Sequence, residues 1–111
     1  MDANNEFCLN LASQSPDLKT ILDEHLEDNF DELLPHVFMG DVTRYVQRGG
    51  KDRANIVAAV EKALQSNDSG LVELVAVSFV ENLETEDELN SAVKGVEAPL
   101  VVAEWKYQRS S

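Results

Sequence analysis

Residues 71–83 read Leu-Val-Glu-Leu-Val-Ala-Val-Ser-Phe-Val-Glu-Asn-Leu, and whether this run is strand or helix decides the fold. Its four valines suit a strand. Thirteen residues, however, is long for one, and Glu73, Ser78, Glu81 and Asn82 do not alternate with period two. Read as a helix, the run is apolar nearly all the way round, which is the pattern of a buried central helix. Ser69 stands just before it as the expected cap.

Downstream, Thr85-Glu86-Asp87-Glu88 has the spacing of a capping box, and Leu89, Ala92 and Val93 follow at helical intervals until Gly95. The last segment, Pro99 to Gln108, reads as either helix or strand, and Pro99 as a first-turn residue favours helix. Upstream, a helix is predicted from Asp52 to Gln65, with Ile56, Val57, Val60 and Leu64 inward. Another runs from Pro35 to Gln47 or Arg48, with Phe38, Val42, Tyr45 and Val46 as its stripe and Gly49-Gly50 as its stop. Ser15-Pro16 starts a further helix, with Ser as N-cap and Pro where no hydrogen bond is lost. Phe7 and Leu11 suggest a short helix before it. The expected fold is therefore all-α: a compact bundle or short stack of six to seven helices, with residues 1–111 as a single helical domain.

The helix after Ser15 is two-faced. With Leu18 set at 0°, Ile21, Leu22 and Leu26 fall within about 80° of it, whereas Asp23, Glu24, Glu27 and Asp28 fall between about 140° and 280°. The acids belong to Asp23–Glu32, which holds six carboxylates and no base. Glu24, Glu27, Asp28 and Asp31 stand at repelling i, i+3 and i+4 spacings, each like-charge pair costing a few tenths of a kcal/mol. A second cluster, Glu81, Glu84, Glu86, Asp87 and Glu88, has a simpler origin, because carboxylates in a first helical turn favour the dipole. The first cluster has no such origin. Asp23, Glu24, Glu27, Asp28, Asp31 and Glu32 are the candidate partner-binding residues, and a basic protein surface is their complement.

Charge excludes other roles. Nine Lys and Arg against 21 Asp and Glu leave a net charge of −12 and a pI near 4.3, which disfavours direct nucleic-acid binding. The chain shows no apolar run of membrane-spanning length and no secretory leader, so no membrane contact is expected. The lone Cys8 suits a reducing, cytoplasmic compartment, and beside Phe7 it reads as a small core residue.

Catalytic and metal chemistry find little support. His25 lies beside Leu18 on the helical wheel and reads as a core or boundary residue hydrogen-bonded to a neighbour. His36, in a first turn, reads as making a local backbone contact. Pro35 separates the two histidines, so no metal site is expected, and no cofactor. No serine stands in a glycine-flanked elbow, and Gly49-Gly50-Lys51 lacks the pattern of a phosphate loop. No enzymatic activity is expected. A small metal-dependent hydrolase is the weakest of three options, and it predicts bound metal that is lost in His25→Ala or His36→Ala. Trp105 and Tyr107 are candidate aromatic anchors, with Trp105 equally suited to packing on the bundle.

The stretch Leu33-Leu34-Pro35-His36-Val37-Phe38-Met39-Gly40-Asp41-Val42, after the acidic helix, resembles a block found in a family of small acidic bacterial proteins of unknown function. Val77-Ser78-Phe79-Val80-Glu81-Asn82-Leu83 is similar to a second block of that family. The resemblance spans about Phe7 to Leu83 and includes Pro35, His36, Gly40, Asp41, Glu81 and Asn82. Each of these also has a structural use: Pro35 starts a helix, Gly40 allows close helix approach, Asp41 can pair with Arg44, and Asn82 can bond within a helix junction. By association, the resemblance implies an immunity protein of a contact-dependent growth-inhibition or polymorphic toxin system. The expected partner is then a cognate toxin with a basic surface, a nuclease by preference. The alternative is a helical adaptor or regulatory subunit of a bacterial assembly.

Overall fold

Seven helices and no strand make up residues 2–110, the part described by the computed structural model. They are α1 (Ala3–Ser13), α2 (Pro16–Asp28), α3 (Pro35–Gln47), α4 (Arg53–Leu64), α5 (Ser69–Val75), α6 (Glu86–Val93) and α7 (Pro99–Ser110). A widened π turn, Ala76–Val80, continues α5. The radius of gyration is 13.1 Å. A compact chain of this length is expected near 13 Å, so the helices close into a bundle rather than an open stack.

Helix starts follow the local chemistry. The Ser15 hydroxyl accepts from the Leu18 amide at 3.2 Å, and Pro16 occupies the first turn. Thr85 and Glu88 form the reciprocal capping box. At α5 the cap is Asp68, not Ser69: its carboxylate accepts from the Leu71 amide at 3.0 Å, and Ser69 is the first helical residue. A carboxylate one position earlier reaches the same orphan amide and also suits the helix dipole.

The run at 71–83 is helical and central, packed on α1, α3, α4 and α7. It does not stay α-helical throughout. The Glu81 amide bonds back to the Ala76 carbonyl, five residues away, at 3.0 Å. That wider turn leaves Ser78, Phe79 and Val80 all buried in succession. Side chains add further bonds to carbonyls of this segment. Asn82 Nδ2 donates to Ser78 O at 2.8 Å, and Gln108 Nε2 donates to Ala76 O at 3.0 Å. The buried Thr43 hydroxyl shares its single proton between Met39 O at 3.0 Å and Ser78 O at 3.3 Å.

Around this segment the core gathers Leu18 and Leu22 from α2, Phe38, Met39, Val42 and Val46 from α3, Ile56, Val57 and Val60 from α4, Leu89 from α6 and Val101 from α7. Cys8 is fully buried among them, and burial, with the Asp2 charge second, pushes its thiol up to about 12. Gly40 is buried against Asn82, but an added Cβ would meet Asn82 Nδ2 at an ordinary 3.6 Å, so the approach there does not demand glycine. Gly50 does: a Cβ there would run into the Tyr45 ring.

Tyr45 ties three helix ends together. Its hydroxyl donates to Asp17 Oδ2 at 2.7 Å and accepts from the Asp52 amide at 3.3 Å, while Ser15 Oγ donates to Asp52 Oδ2 at 2.6 Å. Burial first, then its bond to Asp17, raises the Tyr45 hydroxyl above its ordinary value.

A second tie comes from the buried Glu61 on α4. Its carboxylate accepts from the Leu100 and Val101 amides at 3.0 Å, satisfying the open N-terminus of α7 from another helix. Trp105 and Arg109 then donate to Leu83 O, fixing the far half of α7.

Candidate functional site

The acidic stretch occupies the end of α2 and the turn that leaves it. Asp23, Glu24, Glu27 and Asp28 lie on the solvent side of α2, while Leu18, Leu22 and His25 are buried on the other. The helix stops at Asp28, so Asp31 stands not at helical spacing but in the turn, with Glu32. All six carboxylates are exposed. None has an ion pair or side-chain hydrogen bond among the described residues, where the single salt bridge joins Arg44 to Asp41, the pair expected from spacing.

The turn itself is built around His25, which is 4% exposed. His25 Nε2 accepts from the Leu34 amide at 3.0 Å, which requires that nitrogen to carry no proton. Its ring meets Phe38 edge-on at 6.0 Å between centroids. His25 is thus a core residue with a satisfied bond, as its place on the wheel predicts. The chain reverses by an Asp31 amide bond to Leu26 O at 2.7 Å, with Phe30 (φ 55°) and Asp31 (φ 63°) in the left-handed region. This is the six-to-one bond of a Schellman-type helix end, formed without the companion bond from the Phe30 amide, and Phe30 stands where glycine is usual. Phe30 is left 98% exposed.

A cleft of about 340 Å³ lies between α2 and α3. Glu24 and Asp28 line its α2 side, Asp41, Arg44 and Arg48 its α3 side, and Ile21, His25 and Val37 also contribute. The arginines qualify the sequence reading. No base lies within the acidic stretch, but α3 brings two to the cleft that Glu24 and Asp28 share. The repulsion along α2 is therefore partly offset in three dimensions.

Other candidates separate from this place. His36 makes no local backbone contact; its Nδ1 meets Ser78 Oγ across the α3–π seam, a pairing across 42 positions that helical periodicity does not reveal. Ser78 is buried, and neither residue lines the α2–α3 cleft. Among the described residues no group of three or more His, Cys, Asp or Glu side chains converges as metal ligands would. Trp105 is half-buried and bonded to Leu83, with the Arg109 guanidinium 4.9 Å from its ring centroid, so it belongs to the seam of α7. Tyr107 is 71% exposed. No described helix is long and apolar enough to cross a membrane.

Residues 8–96 match the family described as "Domain of unknown function (DUF7674)", and the chain belongs to that family. The match ends before α7 begins. No curated protein and no solved structure matches the chain.

Proposed function

We propose that this member of a family of unknown function is a binding protein without catalytic activity, an immunity protein that neutralises a cognate bacterial toxin in the cytoplasm. The acidic surface formed by Asp23, Glu24, Glu27, Asp28, Asp31 and Glu32 covers the basic groove through which the toxin, a nuclease, would take its substrate. One observation carries the reading: six neighbouring carboxylates stand exposed, and none is ion-paired to a cation among the described residues. Such a surface keeps repulsion that the cleft arginines offset only in part, and Lys or Arg on a partner would relieve the rest and steer the encounter.

The test is charge reversal of Glu24, Glu27 and Asp28 to Lys together. Protection against the toxin encoded beside the gene is expected to be abolished while the helical circular dichroism is unchanged. Binding of the parent protein should weaken as salt rises. Protection that persists in the folded triple variant overturns this surface as the interface.

The adaptor reading has its own support in an open, mainly apolar groove of about 270 Å³ lined by Leu64, Val72, Leu100, Ala103, Glu104 and Tyr107. Recovery of a stable assembly with no toxin in it, disrupted by Tyr107→Ala and not by charge reversal, would favour the adaptor.

A further inference from the structure

Phe30 is the most exposed large hydrophobic residue of the described chain, at 98%. Phenylalanine carries no polar group that profits from water, and a residue of its size normally enters the core. Its backbone is held: the Asn29 and Asp31 amides both bond to Leu26 O, the Glu32 amide bonds to Asn29 O, and Asn29 Nδ2 donates to His25 O at 2.7 Å. The ring therefore projects from a preformed turn. Asn29 and Asp28, its neighbours in sequence, line the α2–α3 cleft, together with the half-exposed Val37.

Resting on the reading of the acidic surface given above, we propose that Phe30 is the apolar anchor of that interface, seating on an apolar patch bordered by Lys or Arg on a partner protein. Charge sets the partner's chemistry. A ring bracketed in sequence by Glu27, Asp28, Asp31 and Glu32 repels any acidic-rimmed site and gains from a basic rim. Aromatic anchors inside a charged rim carry a large part of binding in interfaces of this kind, and a preformed turn loses little freedom on docking.

The experiment titrates the isotopically labelled full chain with two synthetic peptides of equal length and Lys content. One places Leu between its lysines at helical spacing, and the other has Ser in place of Leu. Both are expected to shift amides of residues 23–34, and the Leu peptide should bind about tenfold more tightly. In Phe30→Gly that preference should vanish, while affinity for the Ser peptide stays unchanged and the melting temperature rises. Phe30→Asn, which tolerates the left-handed backbone, should behave alike. If both variants keep the preference for Leu, Phe30 is not the anchor, and the acidic reading stands without it. If neither peptide shifts residues 23–34 of the parent chain, the acidic reading fails and the anchor with it.

Discussion

The end of α2 and the π-widened end of α5 depart from ordinary helix in opposite ways. At the π segment the departure is inward: three successive residues are buried, and Thr43, Asn82 and Gln108 reach in to bond its carbonyls. At the turn after α2 the departure is outward. Two non-glycine residues take left-handed backbone, an aromatic ring meets water, and six carboxylates lack ion-pair partners among the described residues. One region sacrifices regularity to complete the core. The other keeps features that the isolated fold does not use, and such features are intelligible as provision for another molecule.

If the contrast is sound, substitutions in the two regions should move stability in opposite directions. The largest effect is expected at Phe79, fully buried in the π segment. Phe79→Ala should cost about 3–5 kcal/mol, read from the urea unfolding midpoint; a cost below 1 kcal/mol would mean the segment is not the core's centre.

Glu61→Ala comes next, at about 2 kcal/mol, because it strands the Leu100 and Val101 amides. Hydrogen exchange should show the loss first in α7, with Glu61→Gln intermediate. Uniform loss across all helices would deny that Glu61 specifically holds α7.

The third effect is alkaline. Cys8 and Tyr45 are both raised in the folded state, Cys8 to about 12, chiefly by burial. A group raised on folding contributes fully below its unfolded value and loses that contribution as pH climbs to the folded one. Stability should therefore hold through neutral pH and fall from about pH 9 upward, where the unfolded thiol begins to ionise first. Cys8→Ala should flatten the lower part of that fall, and an unchanged profile would assign it elsewhere. The smallest change, with the opposite sign, belongs to the turn. Phe30→Gly relieves a left-handed residue and should gain about 1 kcal/mol.

Legibility in the sequence followed the range of the interaction. Ser15-Pro16, the Thr85–Glu88 box and the Gly49 stop act within four residues, so they could be read directly. The strand-or-helix choice at 71–83 was also readable, since Glu73, Ser78 and Glu81 break any period of two. The π turn was not, because donors from residues 43 and 108 help to hold it. Glu61 looked like one acid among 21; only the arrival of Leu100 from 39 positions away gives it a task. His36 escapes local reading for the same reason, because its partner Ser78 lies 42 positions away. At the acidic surface the carboxylates and their exposure were legible, but nothing local distinguishes Phe30. No glycine marks the left-handed turn there, and the arginines that face the cleft belong to the next helix.

Trp105 is the chain's one tryptophan, and it bonds to Leu83 where α7 meets the rest of the molecule. Excited at wavelengths that tyrosine and phenylalanine do not absorb, its emission is an optical gauge of α7 docking alone. Phe30 is silent in that window. Events at the α2 turn that leave α7 seated therefore produce no signal, while any partner that lifts α7 announces itself by a red shift. A single fluorescence titration thus distinguishes a ligand received at the acidic turn from one that rearranges the bundle.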